Sequence, residues 1–316
     1  MSGKAMTRRI AADEAGIAEA VRLLANGGLV ALPTETVYGL AVRADDAAAV
    51  ARIYEAKGRP SFNPLIVHVA SLEQAERLAE FSETAHALAE KFWPGPLTLV
   101  LPRKPDAPTA AAVTAGLPTL ALRIPAHPVM RAVLERSGLP LAAPSANRSG
   151  LVSPTSAEHV LRSLGGRIDA VLDAGSCEEG LESTILAVRT DGSIEELRPG
   201  PLDLTGFAEK LRGATSGVAR EQDVEAPGQF ASHYAPGKPV RLNAVTPQVD
   251  EFFITFGSGA GDACLSPAGD LSEAGTNLYA CLYAAAASAK PRIAVARVPE
   301  HGIGRAINDR LRRAAA

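Results

Sequence analysis

The sequence predicts a mixed α/β protein: an open, twisted sheet with flanking helices, followed by a smaller α/β unit. Three observations predict it. Short apolar, β-branched runs of strand length recur along the chain, and amphipathic stretches of helical length separate many of them. The alternation is not strictly strand–helix–strand, because several apolar runs follow one another across short turns, and that gives a mixed sheet. Residues 213–240 then carry few periodic apolar positions, and strand–helix alternation resumes beyond them. A chain of 316 residues suits two units better than one. The expected boundaries are 1–212 for the larger unit, 213–240 for a linker or lid, and 241–316 for the smaller unit.

Asp13 to Asn26 places Ile17, Ala20, Val21 and Leu24 on one helical face, and Gly27-Gly28 stops it. Leu29 to Leu32 is a short buried strand, and Asp45 to Lys57 is a helix with Val50, Ile53 and Tyr54 inward. Pro64 to Val69 is β-branched and apolar, a buried strand. Ser71 and Gln74 make a capping box for a helix to Glu80, and Ser82 opens another that ends at Trp93-Pro94-Gly95-Pro96. Strands follow at Leu97 to Leu101 and, after a long Pro- and Ala-rich loop over 102–118, at Thr119 to Ile124. His127 to Ser137 and Ser156 to Leu164 are helices; Pro140 to Ala143 and Ala170 to Leu172 are strands. A hairpin across Thr190-Asp191-Gly192 joins Glu182–Val188 to Ile194–Leu197, and Leu202 to Leu211 reads as a closing helix. Beyond the linker, strands at Phe252 to Phe256 and Ile293 to Ala296 alternate with helices at Glu273 to Ala289 and Ile303 to Leu311. Gly257-Ser258-Gly259-Ala260-Gly261 has no helix directly after it and reads as a turn.

Composition narrows the function. Hydrophobic residues make up 47% and aromatics only 4%, so a large core is packed mainly by aliphatic side chains. A net charge of −3 argues against a protein that holds nucleic acid by bulk electrostatics. Cys177, Cys264 and Cys281 are far apart with no C-x-x-C pair, which suits neither a disulfide framework nor a zinc site. The histidines form no H-E-x-x-H, and no Walker A sequence occurs, so any ATP is held another way. No apolar run reaches spanning length, and Met1 to Arg9 lacks the apolar core of a signal peptide; a cytoplasmic location is expected.

Four stretches carry candidate chemistry. Lys57-Gly58-Arg59-Pro60 is expected as an exposed loop whose point charge and planar fork suit a polyanion, or else as a solvated basic turn complementing a helix end. Pro33-Thr34-Glu35-Thr36-Val37-Tyr38-Gly39 is either a ligand-holding polar turn at a strand end or a capped loop. In Thr119–Ile124, alternation puts Thr119, Ala121 and Arg123 on one face. An arginine there lies at a sheet edge or faces a ligand; the ligand is favoured because a charge in an apolar strand needs a partner. Pro144-Ser145-Ala146-Asn147-Arg148-Ser149-Gly150 lets a ligand approach the backbone, or is a plain polar turn. His233 and Tyr234 are unusual in a spacer and suggest that the linker docks.

These motifs, with Asn63-Pro64-Leu65, Trp93-Pro94-Gly95-Pro96-Leu97-Thr98 and Leu122-Arg123-Ile124-Pro125, closely resemble the YrdC/TsaC family of threonylcarbamoyl-AMP synthases. Ser232-His233-Tyr234-Ala235-Pro236, Asn277-Leu278-Tyr279 and Gly302-Ile303-Gly304-Arg305-Ala306-Ile307 look like its longer, two-domain form. The resemblance covers nearly the whole chain and is softer over 239–272. It implies a YrdC-like mixed sheet with a smaller Rossmann-like domain. It also implies that L-threonine, bicarbonate and ATP, with Mg²⁺, give threonylcarbamoyl-adenylate and pyrophosphate. A partner transferase then carries the group to tRNA, with weak direct RNA binding as an accompanying expectation. By position, Lys57, Arg59, Ser145 and Asn147 match the family's catalytic signature. Arg59, Asn63, Thr119, Ser145, Ser153, Arg198 and the lid residue Tyr234 would hold ATP. Thr36, His68, Arg123, the Ala143 backbone and Ser183 would enclose threonine; His68 could instead be a satisfied core histidine, and Ser153 and Ser183 simple caps. No carboxylate cluster is dedicated to a metal. Two rivals remain at this level. One is a double-stranded-RNA module using Lys57, Arg59, Arg123, Arg148 and Arg198 without turnover. The other is a different ATP-dependent enzyme, such as a carbamoyl-transfer domain.

Overall fold

The computed structural model describes residues 6–207, 209–212, 224–228 and 233–316. Most of the expected linker therefore lies outside the described residues, including Gln229 to Ser232. Helix starts follow the cap chemistry: the side chains of Asp13, Asp46, Ser71, Ser82, Ser156 and Asp270 each accept from an N–H of the first turn.

The larger unit runs β1 (Arg8–Ala11), α1 (Glu14–Ala25), β2 (Val30–Leu32), β3 (Gly39–Arg43), α2 (Ala47–Lys57), β4 (Ile66–His68), α3 (Leu72–Glu76) and α4 (Glu83–Phe92). It continues β5 (Leu97–Pro102), α5 (Ala111–Thr114), β6 (Thr119–Arg123), α6 (Pro128–Ser137), β7 (Leu141–Ala142), α7 (Ala157–Leu164), β8 (Ala170–Asp173), β9 (Thr184–Val188), β10 (Ile194–Arg198) and β11 (Leu211–Arg212). These strands form one mixed sheet of eleven, ordered β1-β8-β2-β3-β7-β4-β6-β5-β9-β10-β11. Parallel pairs such as β4 with β6 and β5 with β9 lie beside antiparallel ones such as β5 with β6.

The alternation of β6 divides its side chains between two cores. Leu120 and Leu122 join the main cluster with Val67, Leu99 and Leu186, covered by Val50, Ile53, Leu88 and Val160 of the helices. Ala121 turns to the other face with Ile66, Val100, Ile185, Ala187 and Leu197, and Ala226 covers that patch. The functional cleft lies on this second side.

The smaller unit comprises β12 (Val240–Arg241), β13 (Glu251–Thr255), β14 (Ala263–Cys264), α8 (Leu271–Ala287), β15 (Arg292–Val295) and α9 (Gly304–Ala315). Its four strands are all parallel, ordered β12-β15-β13-β14. Its core of Ile254, Leu278, Leu282, Ile293, Val295 and Ile307 is continuous with Val37, Val152, Leu181 and Tyr234. The two sheets thus share one apolar seam.

Three expectations need correction. Instead of a helix over 202–211 there is a 3-10 turn, Thr205–Phe207, and then β11, parallel to β10. Asp203 accepts the Thr205 N–H at 2.9 Å, a local bond that competes with helix formation. The loop over 102–118 contains α5, with Ala107, Ala110 and Val113 buried. Strands β1 and β3 were not expected; β3 is buried along four of its five residues, so it has no in–out pattern to betray it. Among the described residues, no helix is long and apolar enough to cross a membrane.

Candidate active site

Arg123 ends β6, an interior strand between β4 and β5, so the sheet-edge alternative is closed. The parallel register sets His68 directly beside it. Arg123 Nη1 donates to Thr36 Oγ1 at 2.9 Å, Nη2 to Glu35 Oε1 at 2.6 Å and Nε to the Gly95 carbonyl at 3.2 Å. The turn that delivers Glu35 and Thr36 is held by Thr34, whose Oγ1 accepts from the N–H of Thr36 and of Val37, both at 3.1 Å. Burial pushes the Glu35 carboxyl up, but Arg123 outweighs it and holds the group below its usual range. Burial, helped by Arg123, pushes His68 down to about 3, so the ring is neutral. His68 Nδ1 has no hydrogen-bond partner among the described residues, and His68 lines the cleft. The ring also lies against the backbone of Ile66 and Leu141.

Lys57 is the last residue of α2, and Gly58 at φ 60° turns the chain so that Arg59 folds back under it. The Lys-x-Arg stretch is not the exposed loop expected: Lys57 is 2% and Arg59 8% exposed. Lys57 Nζ donates to the carbonyls of Ser145, at 2.6 Å, and of Asn147, clamping the small-residue loop after β7. Asn147 Nδ2 ties the same loop at Arg148 O (3.0 Å) and Leu151 O (2.7 Å). Arg59 donates from Nη2 to Asn63 Oδ1 at 2.6 Å and to Pro64 O at 2.8 Å. Arg198, at the end of β10, donates to the Ser183 carbonyl from Nε and Nη2 at 3.1 and 2.9 Å. Its Nη2 also reaches Ser183 Oγ at 3.1 Å, and that hydroxyl lies 2.8 Å from Thr98 Oγ1.

Among the described residues, neither Arg59 nor Arg198 forms an ion pair, although both are buried and both line the cleft. Burial pulls Arg59 down to about 10, pulls Arg198 down, and pulls Lys57 well below its usual value. Glu182 acts on Arg198 from a distance, but Lys57 and Arg59 are held only by carbonyls, and buried cations of that kind are costly without a counter-charge, so the cleft suits an anion.

Pro227, Gly228, His233 and Tyr234 line the other side of the cleft, which leaves a cavity of about 50 Å³. Tyr234 is buried in a left-handed conformation, φ 64°. Its ring stacks on Tyr279 of α8, centroids 5.8 Å apart, and the Arg310 guanidinium of α9 lies 5.3 Å from its centre. Glu182, just before Ser183, accepts from Tyr279 Oη at 2.9 and 2.8 Å and from Arg310 Nε at 2.9 Å. Burial pushes the Glu182 carboxyl up; Arg310 and Arg198 overcome this and hold it at about 2. The Tyr234 hydroxyl and His233 Nδ1 have no partner among the described residues.

Of the expected site residues, Thr36, Arg59, His68, Arg123, Ala143, Ser145, Ser183, Arg198 and Tyr234 all line this cleft. Lys57, Asn63 and Asn147 stand behind it and shape the residues that do. Ser153 is fully buried outside the lining, and Thr119 lies at the far end of β6, roughly 13 Å along the strand from Arg123. Sequence reasoning missed Glu35 as the partner of Arg123, and Glu182, Tyr279 and Arg310 altogether. Glu35 and Glu182 adjoin Thr36 and Ser183, a usable signal; Arg310 meets Glu182 across 128 positions, which no local pattern shows. The RNA-module alternative is not favoured. Lys57, Arg59, Arg123 and Arg198 are buried within the molecule, and only Arg148 of that set is exposed.

A family model for Sua5, YciO and YrdC proteins, described as telomere recombination, matches residues 22–200. The chain belongs to the Sua5/YciO/YrdC family. A second model, the threonylcarbamoyl-AMP synthase C-terminal domain, matches residues 192–316, which identifies the two-domain Sua5 form. The threonylcarbamoyl-AMP synthase of Pyrococcus abyssi is 41% identical over 325 residues, spanning 96% of this chain and 94% of that protein. That of Bacillus subtilis is 45% identical over 248 residues, spanning 77% and 71%. The crystal structure of P. abyssi Sua5 complexed with L-threonine matches the fold with a TM-score of 0.88 at 38% identity, covering 98% of this chain and 97% of that one. The mixed sheet and small parallel sheet are those of a Sua5 protein.

Proposed function

We propose that this Sua5-family chain makes L-threonylcarbamoyl-adenylate and pyrophosphate from L-threonine, bicarbonate and ATP. The chain is an adenylating nucleotidyltransferase that supplies tRNA threonylcarbamoyladenosine synthesis. The observation that carries the reading is one cleft with two kinds of arginine. Arg123 is fixed by Glu35 and Thr36, while Arg59 and Arg198 are buried and form no ion pair among the described residues. The first suits an amino-acid carboxylate, the second a phosphate chain.

The threonine amine condenses with bicarbonate, losing water, to give a carbamate. A carbamate oxygen attacks the α-phosphorus of ATP, the bond to the bridging oxygen breaks, and pyrophosphate leaves. No covalent protein intermediate is required. Catalysis is positioning plus charge stabilisation. Arg123, Thr36, Ser183, the neutral His68 and the Ala143 backbone enclose threonine. Arg59, Arg198 and Ser145 hold the phosphates, and Lys57 and Asn147 set the Ser145 loop against them. Asn63 braces Arg59, and Tyr234 excludes water from the adenylate.

Mg²⁺ brought with ATP would supply charge neutralisation for the leaving pyrophosphate. Among the described residues no group of three His, Cys, Asp or Glu side chains is placed to hold a metal. A division at 1–212, 213–240 and 241–316 is part of this reading; two separate sheets support it, with β12 (Val240–Arg241) straddling the second boundary. The setting is the cytoplasm, and the downstream partner is a threonylcarbamoyl transferase. The test is product identity. Purified protein given ATP, Mg²⁺, L-threonine and ¹³C-bicarbonate should form an adenylate carrying the label. Formation of unlabelled AMP and pyrophosphate alone would refute the reading.

A further inference from the structure

The cleft is not completed by the larger unit. Glu182 lies in its wall, immediately before Ser183, and Ser183 is the residue that Arg198 grips. What fixes Glu182 comes from the smaller unit: the Tyr279 hydroxyl of α8 and the Arg310 guanidinium of α9. Arg310 has no exposed surface. Besides Glu182 it donates from Nη2 to the Pro199 carbonyl at 2.9 Å, just after Arg198, and from Nη1 to Asp309 at 2.7 Å. Its guanidinium carbon lies over the Tyr234 ring, 5.3 Å from the centre. One side chain therefore joins the Glu182-Ser183 wall, the turn after β10 and the aromatic cover of the cleft.

We propose that Arg310 is a positioning residue that latches the cleft shut, holding the Glu182 wall and the Tyr234 cover in one arrangement from the smaller unit. The geometry argues for a latch rather than simple cement. An arginine whose only task was to neutralise Glu182 would need one bond. Arg310 spends its fork on two separate segments that border the arginine-lined end of the cleft and lies over a third. The bonds next to it have the same direction. His233 N–H donates to the Arg313 carbonyl at 3.1 Å, and Ala235 N–H to Gly150 O at 2.8 Å, so the cover is tied to α9 on one side and to the larger unit on the other. Arg305 of α9 adds a bond to Glu196 Oε2 at 2.6 Å, keeping α9 against β10.

The activity arm of the test rests on the synthase reading; the exchange arm does not. Arg310→Met alone strands the buried Glu182 charge and destabilises the seam, so the informative protein is Glu182→Gln/Arg310→Met. Replacing both partners of a buried pair with neutral groups of similar size is commonly near neutral for stability. The double variant should melt within a few degrees of wild type. Its amides at His233 and Ala235 should nevertheless exchange at least tenfold faster, as measured by hydrogen exchange on the full chain. Its kcat for threonine-dependent pyrophosphate release should fall by about 30-fold or more, and Arg310→Lys, which keeps the charge without the fork, should not restore it. Wild-type exchange at His233 and Ala235 in a folded double variant would overturn the latch whatever the activity. Wild-type kcat in that variant would overturn it too, leaving the pair merely structural. If wild-type protein itself released no pyrophosphate, the synthase reading would fail, and the exchange result would still decide the latch.

Discussion

Replacing Arg123 should separate the two substrates. Its guanidinium uses Nε on Gly95, one Nη1 hydrogen on Thr36 and one Nη2 hydrogen on Glu35. Arginine carries five N–H groups, so each terminal nitrogen keeps one for a substrate carboxylate. Losing a charge-assisted contact of this kind, in a buried site, costs about 2–5 kcal/mol. At about 3 kcal/mol, and 1.36 kcal/mol per tenfold, the threonine KM should rise roughly 150-fold. Arg123→Ala alone would also strand the buried Glu35 carboxylate, so the comparison uses Glu35→Gln/Arg123→Ala, which leaves no orphaned charge. The assay is initial-rate pyrophosphate release, varying threonine at saturating ATP and then ATP at saturating threonine, with thermal unfolding as a control. The ATP KM should change by less than about threefold, because Arg59 and Arg198 are untouched. Equal rises in the two KM values, with the fold intact, would show that Arg123 serves the whole cleft and not the threonine end.

Three further outcomes follow from the same geometry. His68 is held near 3 in the folded protein against 6.5 for the free side chain, so its neutral form is favoured by folding. Its share of stability is complete above pH 6.5 and is lost as pH falls from there towards 3; His68→Gln should flatten the fall in melting temperature over that window. Activity should show no imidazole inflection between about pH 5 and 8, and one assigned to His68 by its loss in His68→Gln would contradict the buried neutral ring. Gly228 sits at φ 89°, and a Cβ there would come within 3.0 Å of the Tyr234 hydroxyl and 3.1 Å of Arg198 Cδ. Gly228→Ala should lower kcat/KM about tenfold and the melting temperature by about a few degrees, the cost of a side chain at this φ; wild-type kinetics would show that the cover does not need this close approach. Removing residues 213–316 deletes Tyr234, Tyr279 and Arg310 together and leaves Glu182 unpaired, so it should reduce pyrophosphate release by about two orders of magnitude or more. Full activity of the shortened chain would contradict the role given to the smaller unit.

The parts of the fold legible in the sequence were those where one local rule decided the outcome. β6 has strict alternation, and its arginine fell on the cleft face as period two requires. Helix starts were marked by Asp and Ser caps, and the turn between β9 and β10 by Thr190-Asp191-Gly192. β3 was hidden because burial on both faces removes the pattern. The stretch from Leu202 misled because Leu202, Leu204 and Phe207 all pack inward as a helix would place some of them, while Asp203 turns the backbone aside. At the site, residue types were legible and partners were not. Lys57 reads as a ligand-facing cation, yet its charge is spent on the carbonyls of Ser145 and Asn147, some 90 positions away. Glu35 reads as a cap, yet it orients Arg123 across 88 positions. Long-range pairing of this kind is a property of the sheet order, and a single sequence does not encode the order locally.

The most direct test of the central claim is pyrophosphate release by the purified full-length chain with ATP and Mg²⁺, omitting L-threonine and bicarbonate in turn. The account predicts release only when both are present, because the carbamate formed from them is the nucleophile. Release that is indifferent to threonine, or no release under any combination, would contradict it.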